Sequence, residues 1–458
     1  MKKNRWLIAA SAVGIHLSIG SIYAYSAWQM PLENTLGWST AETSLGFSVA
    51  IFFLGLTAAF MARHVELLGA RLSGLLSAVF FSLGLLGSGL AVWMEWLWLF
   101  YVCFGVLSGI GLGIGYIAPL ATLVRWFPER RGVATGMAIM GFGFGGLVCA
   151  QFIDWWVPVQ GEVALHKEVS PREYAVALEA EDEVALAAMV YTGNAWESGM
   201  VQVDQGAEPY RIEVIYRKRD VSAAFLCLGL VYAVVMALSA LYITPPEQYS
   251  VESSATEGGI SLSDLLRSPA FYGLWSMLFI NVTCGITVIA TAKKMGYEMV
   301  GLSLDQASLL VMGISVFNGL GRIFWAAVSD KMGRPNTFIL FFMIQFVAFP
   351  LLANLTTSPL AFMGVTFLIL TCYGGGFATM PAYVSDLFGV KRMPVVYGLI
   401  LTAWSLAGIV GPMFGAYIYE RTQSYQMSLY LFGATFLVAL GIAVLLKRES
   451  TRIQTTNR

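Results

Sequence analysis

Val311-Met-Gly-Ile-Ser-Val-Phe-Asn-Gly-Leu-Gly-Arg-Ile-Phe-Trp-Ala-Ala-Val-Ser329 is an apolar run of membrane-spanning length with an arginine, Arg322, set inside it. A guanidinium stays protonated, with a pKa above about 12, so the charge has to be accommodated rather than titrated away. Burying it in a bilayer costs roughly 2.5–3.5 kcal/mol on insertion scales. Such an arginine usually faces a bundle interior or a watered cavity and marks a substrate or ion path. At helical spacing Ser315, Asn318 and Arg322 share one face, and Ser329 continues it two turns on. The competing reading is snorkelling: Asp330 is only eight residues away, about 12 Å along a helix.

Outward from this stretch the whole chain has the same character. Hydrophobic residues make up 57 % of the 458 and charged ones 12 %, against about 25 % charge in soluble domains. Mean hydropathy is +0.69. The net charge of −1 points to no partner and gives no reason to expect nucleic-acid binding. The five cysteines, Cys103, Cys149, Cys227, Cys284 and Cys372, lie in apolar runs without CxxC spacing and read as small core residues. Met1-Lys-Lys-Asn-Arg5 and the apolar run behind it imitate a signal peptide, but the run is too long, and a retained first helix is expected.

A span needs about 20 apolar residues. The chain offers twelve, near 6–30, 43–62, 72–93, 97–124, 133–156, 221–243, 270–291, 306–328, 336–354, 359–380, 394–418 and 428–446. With the N-terminus inside, the cytoplasmic segments collect seventeen of the 27 basic residues, and the short outer loops hold only Lys293, Lys294 and Arg421. Both termini are therefore expected in the cytoplasm, the protein in a cytoplasmic membrane.

The expected division is a six-helix half over 1–243, a linker over 244–269, a second half over 270–446 and a tail over 447–458. The first half carries an outer insertion over 157–220, with twelve acidic residues against six basic ones. Within it Ser170-Pro-Arg-Glu173 predicts a helix start running to about Met189, and Tyr210–Tyr216 alternates in part like a strand. A small ordered cap follows from these signals.

The halves carry a weak repeat. Ser44-Leu45 and Gly55-Leu56 recur at Ser308-Leu309 and Gly319-Leu320, and Pro119 to Gly136 is spaced like Pro381 to Gly398. An even helix count makes the repeats parallel, the arrangement of major facilitator transporters, with a site at midplane between halves. The predicted fold is thus an all-α polytopic membrane protein of twelve transmembrane helices in two parallel six-helix pseudo-repeats. On this register Arg322 corresponds to Ala58 and Trp404 to Phe142, so the charge breaks the pseudo-symmetry.

Four stretches resemble the oxalate/formate antiporter family within that superfamily. The first runs from Gly111-Leu-Gly-Ile-Gly-Tyr-Ile-Ala-Pro119 through Arg125-Trp-Phe-Pro-Glu-Arg-Arg-Gly132 to Ala134-Thr-Gly-Met-Ala-Ile-Met-Gly-Phe-Gly-Phe-Gly145. The others are Leu278-Phe-Ile-Asn-Val-Thr-Cys-Gly285, Asn318-Gly-Leu-Gly-Arg322, and Tyr373-Gly-Gly-Gly-Phe-Ala-Thr-Met-Pro381 with Leu401-Thr-Ala-Trp404 and Gly408-Ile-Val-Gly-Pro412. The resemblance implies uptake or exchange of small organic anions by alternating access, with Arg322 as the carboxylate binder. Oxalate-exchanging members carry a second cation, a lysine on the eleventh helix, where this chain has Trp404. A dianion would then keep an uncompensated charge in a low-dielectric cavity. That departure favours a monocarboxylate such as lactate, pyruvate or formate over oxalate. A proton or a counter-anion is the expected coupling partner, and a monomer the expected state.

A carboxylate pocket wants an arginine fork among apolar and aromatic walls with a few placed polar groups. The candidates are Arg322, Trp404, Tyr373, Asn318 (to orient the guanidinium), Tyr25, Tyr116 and Asn281, with Tyr23 and Ser26 beside them; belt or packing roles compete for each aromatic. His16 reads as a packed neutral histidine more readily than as a proton carrier. Gly109–Gly115 and Gly141–Gly146 resemble nucleotide loops but follow no strand, and close helix packing is the simpler reading. Ser329-Asp-Lys-Met-Gly-Arg334 resembles the cytoplasmic signature loop of the superfamily, which implies a conformational latch using Asp330 and Arg334, with Glu66 in the corresponding place of the first half. A transporter-like sensor is the reading of another class, disfavoured by the short tail. Paired carboxylates, metal clusters or a nucleophile with a nearby histidine are not evident in the spans, which argues against an enzyme and predicts no cofactor.

Overall fold

The computed structural model describes residues 4–127, 131–165, 211–244, 246, 265–389 and 393–456. Eleven of its helices are long and apolar enough to cross a membrane: α1 (Arg5–Leu36), α2 (Thr40–Met61), α3 (Leu68–Trp93), α4 (Leu97–Leu120), and then, beyond α5, α6 (Lys218–Tyr242) to α12. The later ones are α7 (Pro269–Val300), α8 (Leu304–Met332), α9 (Arg334–Asn354), α10 (Pro359–Phe388), α11 (Val395–Thr422) and α12 (Gln426–Arg448). With α5 (Arg131–Trp156) they make the twelve-helix bundle that the hydropathy predicts.

Burial follows the helical period and runs inside out. On α8, Ser315, Asn318, Arg322 and Ser329 are buried, while Phe317, Leu320, Ile323 and Phe324 are exposed. The polar stripe therefore faces the bundle and the greasy one faces outward, as a lipid solvent requires. On α6 the buried Leu228, Tyr232, Met236 and Ala240 alternate in the same way with the exposed Leu230, Val234 and Leu238.

The sequence repeat marks real structural equivalences. Ser39 and Ser303, 264 residues apart, each cap a helix through a capping box, with Glu42 at the start of α2 and Gln306 at the start of α8. Each box is worth about 1 kcal/mol. Gly69 and Gly333, again 264 apart, both take a positive φ (75° and 83°), the first at a kink at the start of α3 and the second where the chain turns out of α8. Only glycine enters that region without steric cost.

The halves meet along two equivalent crossings. Gly55 on α2 lies against the Leu401 carbonyl and Ser405 of α11, and Gly319 on α8 lies against Gly143 of α5. A Cβ at Gly143 would fall 2.9 Å from the Gly319 Cα. The repeated Gly-Leu pair thus marks close backbone approaches of opposite halves, through the small-residue contact that membrane helices favour.

Three expectations change. α7 does not stop near residue 291: it continues to Val300 and is capped by Gly301 at φ 63°, so Lys293 and Lys294 are buried helical residues rather than outer-loop charges. Carboxylates from other helices pair with both, which removes the penalty that ended the apolar count. α1 runs on to Leu36, past Pro31. The insertion opens and closes on an antiparallel hairpin, β1 (Gly161–Leu165) with β2 (Arg211–Ile215), so the bundle carries a small strand pair; the helix expected from Ser170 to Met189 lies outside the described residues. Most of the 244–269 linker also lies outside them.

Packing between neighbouring helices gives a first prediction. A Cβ at Gly111 on α4 would collide with the backbone of Phe81 on α3, whereas nothing lies within 4 Å of one at Gly364 on α10. Gly111→Ala should cost about 1–3 kcal/mol through overpacking and lower the thermal unfolding midpoint in detergent. Gly364→Ala should leave that midpoint unchanged or raise it.

Candidate functional site

The bundle interior is organised around Arg322. Its side chain points into the interface between the halves and is 1 % exposed, so it does not snorkel to the surface. Nε donates to Asn318 Oδ1 one turn earlier on α8, at 3.4 Å, and Nη1 donates to the Ile139 carbonyl of α5, at 3.3 Å. Nη2 has no partner. The guanidinium carbon lies 5.8 Å from the Phe142 ring and 5.6 Å from the Phe377 ring, within cation–π range. Among the described residues no carboxylate forms an ion pair with it.

Aromatic side chains from both halves close round this charge. The Trp404 ring packs 5.4 Å from Tyr116, 4.7 Å from Phe377 and 6.1 Å from Phe142, its counterpart in the repeat. Tyr23 of α1 and Tyr373 of α10 share a hydrogen bond of 3.0 Å between their hydroxyls, which ties the halves together. Tyr397 of α11 brings its hydroxyl next to that of Tyr116 of α4. Yet the Tyr116 and Tyr397 hydroxyls, Trp404 Nε1, Asn318 Nδ2 and Arg322 Nη2 are all buried without a hydrogen-bond partner of normal geometry. A buried group left unpaired costs about 1–3 kcal/mol. Every one of these groups can donate, so a ligand rich in acceptors is the chemistry that would satisfy them together.

Local backbone irregularity places these groups. α1 tightens to a 3₁₀ turn over Gly20–Ala24, which carries Tyr23, and Gly20 sits under the Phe142 carbonyl, where a Cβ could not fit. α11 tightens locally at Leu401, just before Trp404, while keeping helical dihedrals there (φ −65°, ψ −12°). On α10 the run Gly374-Gly375-Gly376 lets the backbone approach Asn318, Trp325 and Asn281, so Tyr373 reaches the centre.

The structure brings Arg322, Trp404, Tyr373, Asn318 and Tyr116 together. Asn281 stands behind them: its Nδ2 donates to the Tyr373 carbonyl at 3.4 Å, and its Oδ1 accepts from Gln345 Nε2 at 2.9 Å. Tyr25 lies apart, because its hydroxyl donates to the Thr43 carbonyl and its ring packs on Phe47 and Phe104 within the first half. His16 sits at the rim, its ring 5.8 Å from Tyr116 and its Nδ1 on the Ala12 carbonyl. Tyr397, Phe142 and Phe377 are the lining residues that the sequence reading did not single out. Helical spacing points to two of them, since Tyr397 is two turns from Trp404 and Phe377 one turn from Tyr373.

At the end of α8 remote from the hairpin, Asp330 pairs with Arg334 at 2.6 Å; Arg334 also donates to Ser329 Oγ and lies 3.7 Å from Asp386 at the end of α10. Arg334 is the first residue of α9, so Asp330 meets the neighbouring helix through that guanidinium. Glu66 falls on the helical backbone, but its side chain lies outside the described residues, as do Arg130, Lys391 and Arg392.

The sequence model of the Major Facilitator Superfamily matches residues 9–157 and 282–458. The chain belongs to that superfamily. It is 26 % identical to the oxalate:formate antiporter of Oxalobacter formigenes, over 91 % of this chain and 85 % of that protein. It is 24 % identical to monocarboxylate transporter 14 of Mus musculus, over 95 % and 88 % of the two chains, and 27 % identical to apicoplast pyruvate carrier 1 of Toxoplasma gondii, over 70 % and 59 %. A bacterial homologue of the human lysosomal transporter Spinster, solved inward-facing, superposes with a TM-score of 0.69 at 15 % identity, covering 99 % of each chain. The fucose:proton symporter FucP of E. coli does so with 0.61, again at 15 % identity, over 96 % and 98 %. These structures share the fold, and the chain is a multi-pass transporter rather than an enzyme.

An uncompensated buried cation strains the empty protein. Arg322→Gln should therefore raise the thermal unfolding midpoint of the substrate-free protein, by an amount equivalent to about 1–3 kcal/mol. A lower midpoint would mean that the Ile139 and Asn318 bonds outweigh the desolvation.

Proposed function

We propose that this transporter moves a small monocarboxylate, such as lactate, pyruvate or formate, across a cytoplasmic membrane by alternating access, as a monomer with both termini in the cytoplasm. The observation that carries the reading is a buried Arg322 with no ion-pairing carboxylate among the described residues, ringed by donors that make no hydrogen bond of normal geometry. The substrate carboxylate supplies the missing anion and accepts from the guanidinium fork. Asn318 holds Nε, and the Trp404, Tyr116, Tyr397 and Tyr373 groups close over the short carbon skeleton. Asn281 acts through Tyr373, and Tyr25 braces the first half. The Asp330–Arg334 pair, with Glu66 in the other half, serves as the cytoplasmic latch.

Charge counting favours one carboxylate over two. Three cations are buried among the described residues, Lys293, Lys294 and Arg322, and the two lysines are already paired with carboxylates. One specific observation favours a second reading, oxalate/formate exchange: the similarity to the Oxalobacter antiporter extends over most of both chains. Against it stands Trp404 at the place of the second cation.

The same charge bears on coupling. Without an anion, the occluded protein must bury a bare guanidinium, whereas with a carboxylate aboard it buries a neutral pair. The loaded carrier should therefore cross between its two faces faster than the empty one. In proteoliposomes, uptake of labelled lactate, pyruvate or formate should be several-fold faster when the same acid is preloaded inside. Arg322→Gln should lower uptake at least ~100-fold, the cost of removing one partner of a buried pair, and Arg322→Lys should restore only part of it. Oxalate uptake that requires internal formate would establish the second reading; undiminished transport by Arg322→Gln would remove Arg322 from the mechanism.

A further inference from the structure

The end of the bundle that bears the hairpin holds a second charged layer, separate from the Arg322 site. Lys293 Nζ lies 2.7 Å from Asp154 Oδ1 on α5, and Lys294 Nζ lies 2.7 Å from Glu33 Oε2 on α1. Both lysines belong to the second half and both carboxylates to the first, so each ion pair crosses the interface. The Lys294–Glu33 side chains are 8 and 10 % exposed. Lys294 also donates to Thr40 Oγ1 at 3.0 Å and lies 4.5 Å over the Tyr419 ring. Glu33 accepts in addition from Thr43 Oγ1. A third link runs alongside: the Ala41 amide of the first half donates to Glu420 of the second at 2.9 Å.

Adjacent lysines on one helix project about 100° apart, and here they reach two different helices of the opposite half. Together they fasten α7 to both α1 and α5. No covalent or backbone link makes this contact obligatory, and nothing in it touches Arg322. We propose that Lys293–Asp154 and Lys294–Glu33 form the gate at the hairpin-side end of the translocation path, closed when paired and open when the halves part. Parting exposes four charges to water, where each is well solvated, so opening exchanges ion pairing for hydration at modest net cost. Pairs of this kind suit a gate better than an apolar seal, because the broken state is hydrated rather than greasy.

The gate is independent of which anion the Arg322 site takes. Its test uses Gln29, which lies one helical turn below Glu33 on α1, buried and with its amide unpartnered. Gln29→Cys is reconstituted in the full-length protein, and its reaction with a membrane-impermeant maleimide is timed. Lys294→Gln, and more so with Lys293→Gln, should speed labelling by about tenfold or more as the open population rises. The charge-swapped pair Glu33→Lys with Lys294→Glu should return labelling to the slow rate, which a loss of fold would not do. Affinity for the transported acid, read as ligand-induced thermal stabilisation, should stay within about threefold of the parent. Unchanged labelling in the lysine variants, or a swapped pair as fast as the single variant, would overturn the gate and leave the Arg322 reading untouched. Loss of affinity without faster labelling would instead assign the pairs to the binding site.

Discussion

A guanidinium held in a bilayer-spanning bundle, with no carboxylate paired to it among the described residues, is the constraint on which the rest of the molecule depends. Its bonds to the Ile139 carbonyl and Asn318, and the two aromatic rings flanking it, offset part of the desolvation without neutralising the charge. Stability alone would select an apolar residue at position 322, as the pseudo-equivalent Ala58 illustrates on α2. The surrounding unpaired donors deepen the same bias. An interior that is costly when empty and satisfied by an acceptor-rich anion has its specificity built into its own instability.

The scaffold tolerates such a centre because its symmetry carries the packing elsewhere. Capping boxes at Ser39 and Ser303, positive-φ glycines at 69 and 333, and interface glycines at 55 and 319 recur at one offset. Each half therefore folds by the same local rules, and each meets the other through a crossing of small residues. Such crossings have little side-chain interlock to break, which is what a rocking motion needs. At the centre the halves differ in charge, since Arg322 stands on one half and the Phe142–Trp404 pair spans both.

How much of this was legible in the sequence follows from the kind of signal each feature leaves. Twelve apolar runs and the isolated arginine are strong one-dimensional signals, and with the weaker repeat they point to the fold, to Arg322 and to the helices round it. Trp404, Tyr373, Asn318 and Tyr116 came from motif resemblance and converge in space. Tyr25 did not join them, because the 3₁₀ turn at Gly20–Ala24 aims Tyr23, two residues earlier, at the centre and leaves Tyr25 on Phe47 and Phe104. A hydropathy walk has no means of foreseeing that turn. Tyr397 and Phe377 were readable only as helical neighbours of residues already chosen. Lys293 and Lys294 were misplaced for a different reason: a hydropathy count treats a charge as the end of a span, whereas a charge with a buried partner on another helix is compatible with the interior. Sequence shows the charge and hides the partner, since Glu33 and Asp154 are 261 and 139 residues away from them.

The two charged layers obey opposite rules, and the contrast indicates how they divide the work. At the hairpin-side end two lysines meet two carboxylates, and each of these pairs is neutral when closed. That layer can therefore shut whether or not anything is bound below it. At the centre Arg322 has no paired carboxylate among the described residues, so on the proposed function complete closure round it would be favoured with an anion present. A carrier with both layers neutral when empty would shuttle freely and leak its driving gradient. One with both unmatched would open to water at each end and seldom occlude. Placing the unmatched charge at the centre and the matched ones at the periphery makes the ligand, rather than the gate, decide when the halves exchange their contacts. On the proposed function, the substrate's differential affinity for the occluded state would set the transport rate, and Arg322 is where that difference would arise.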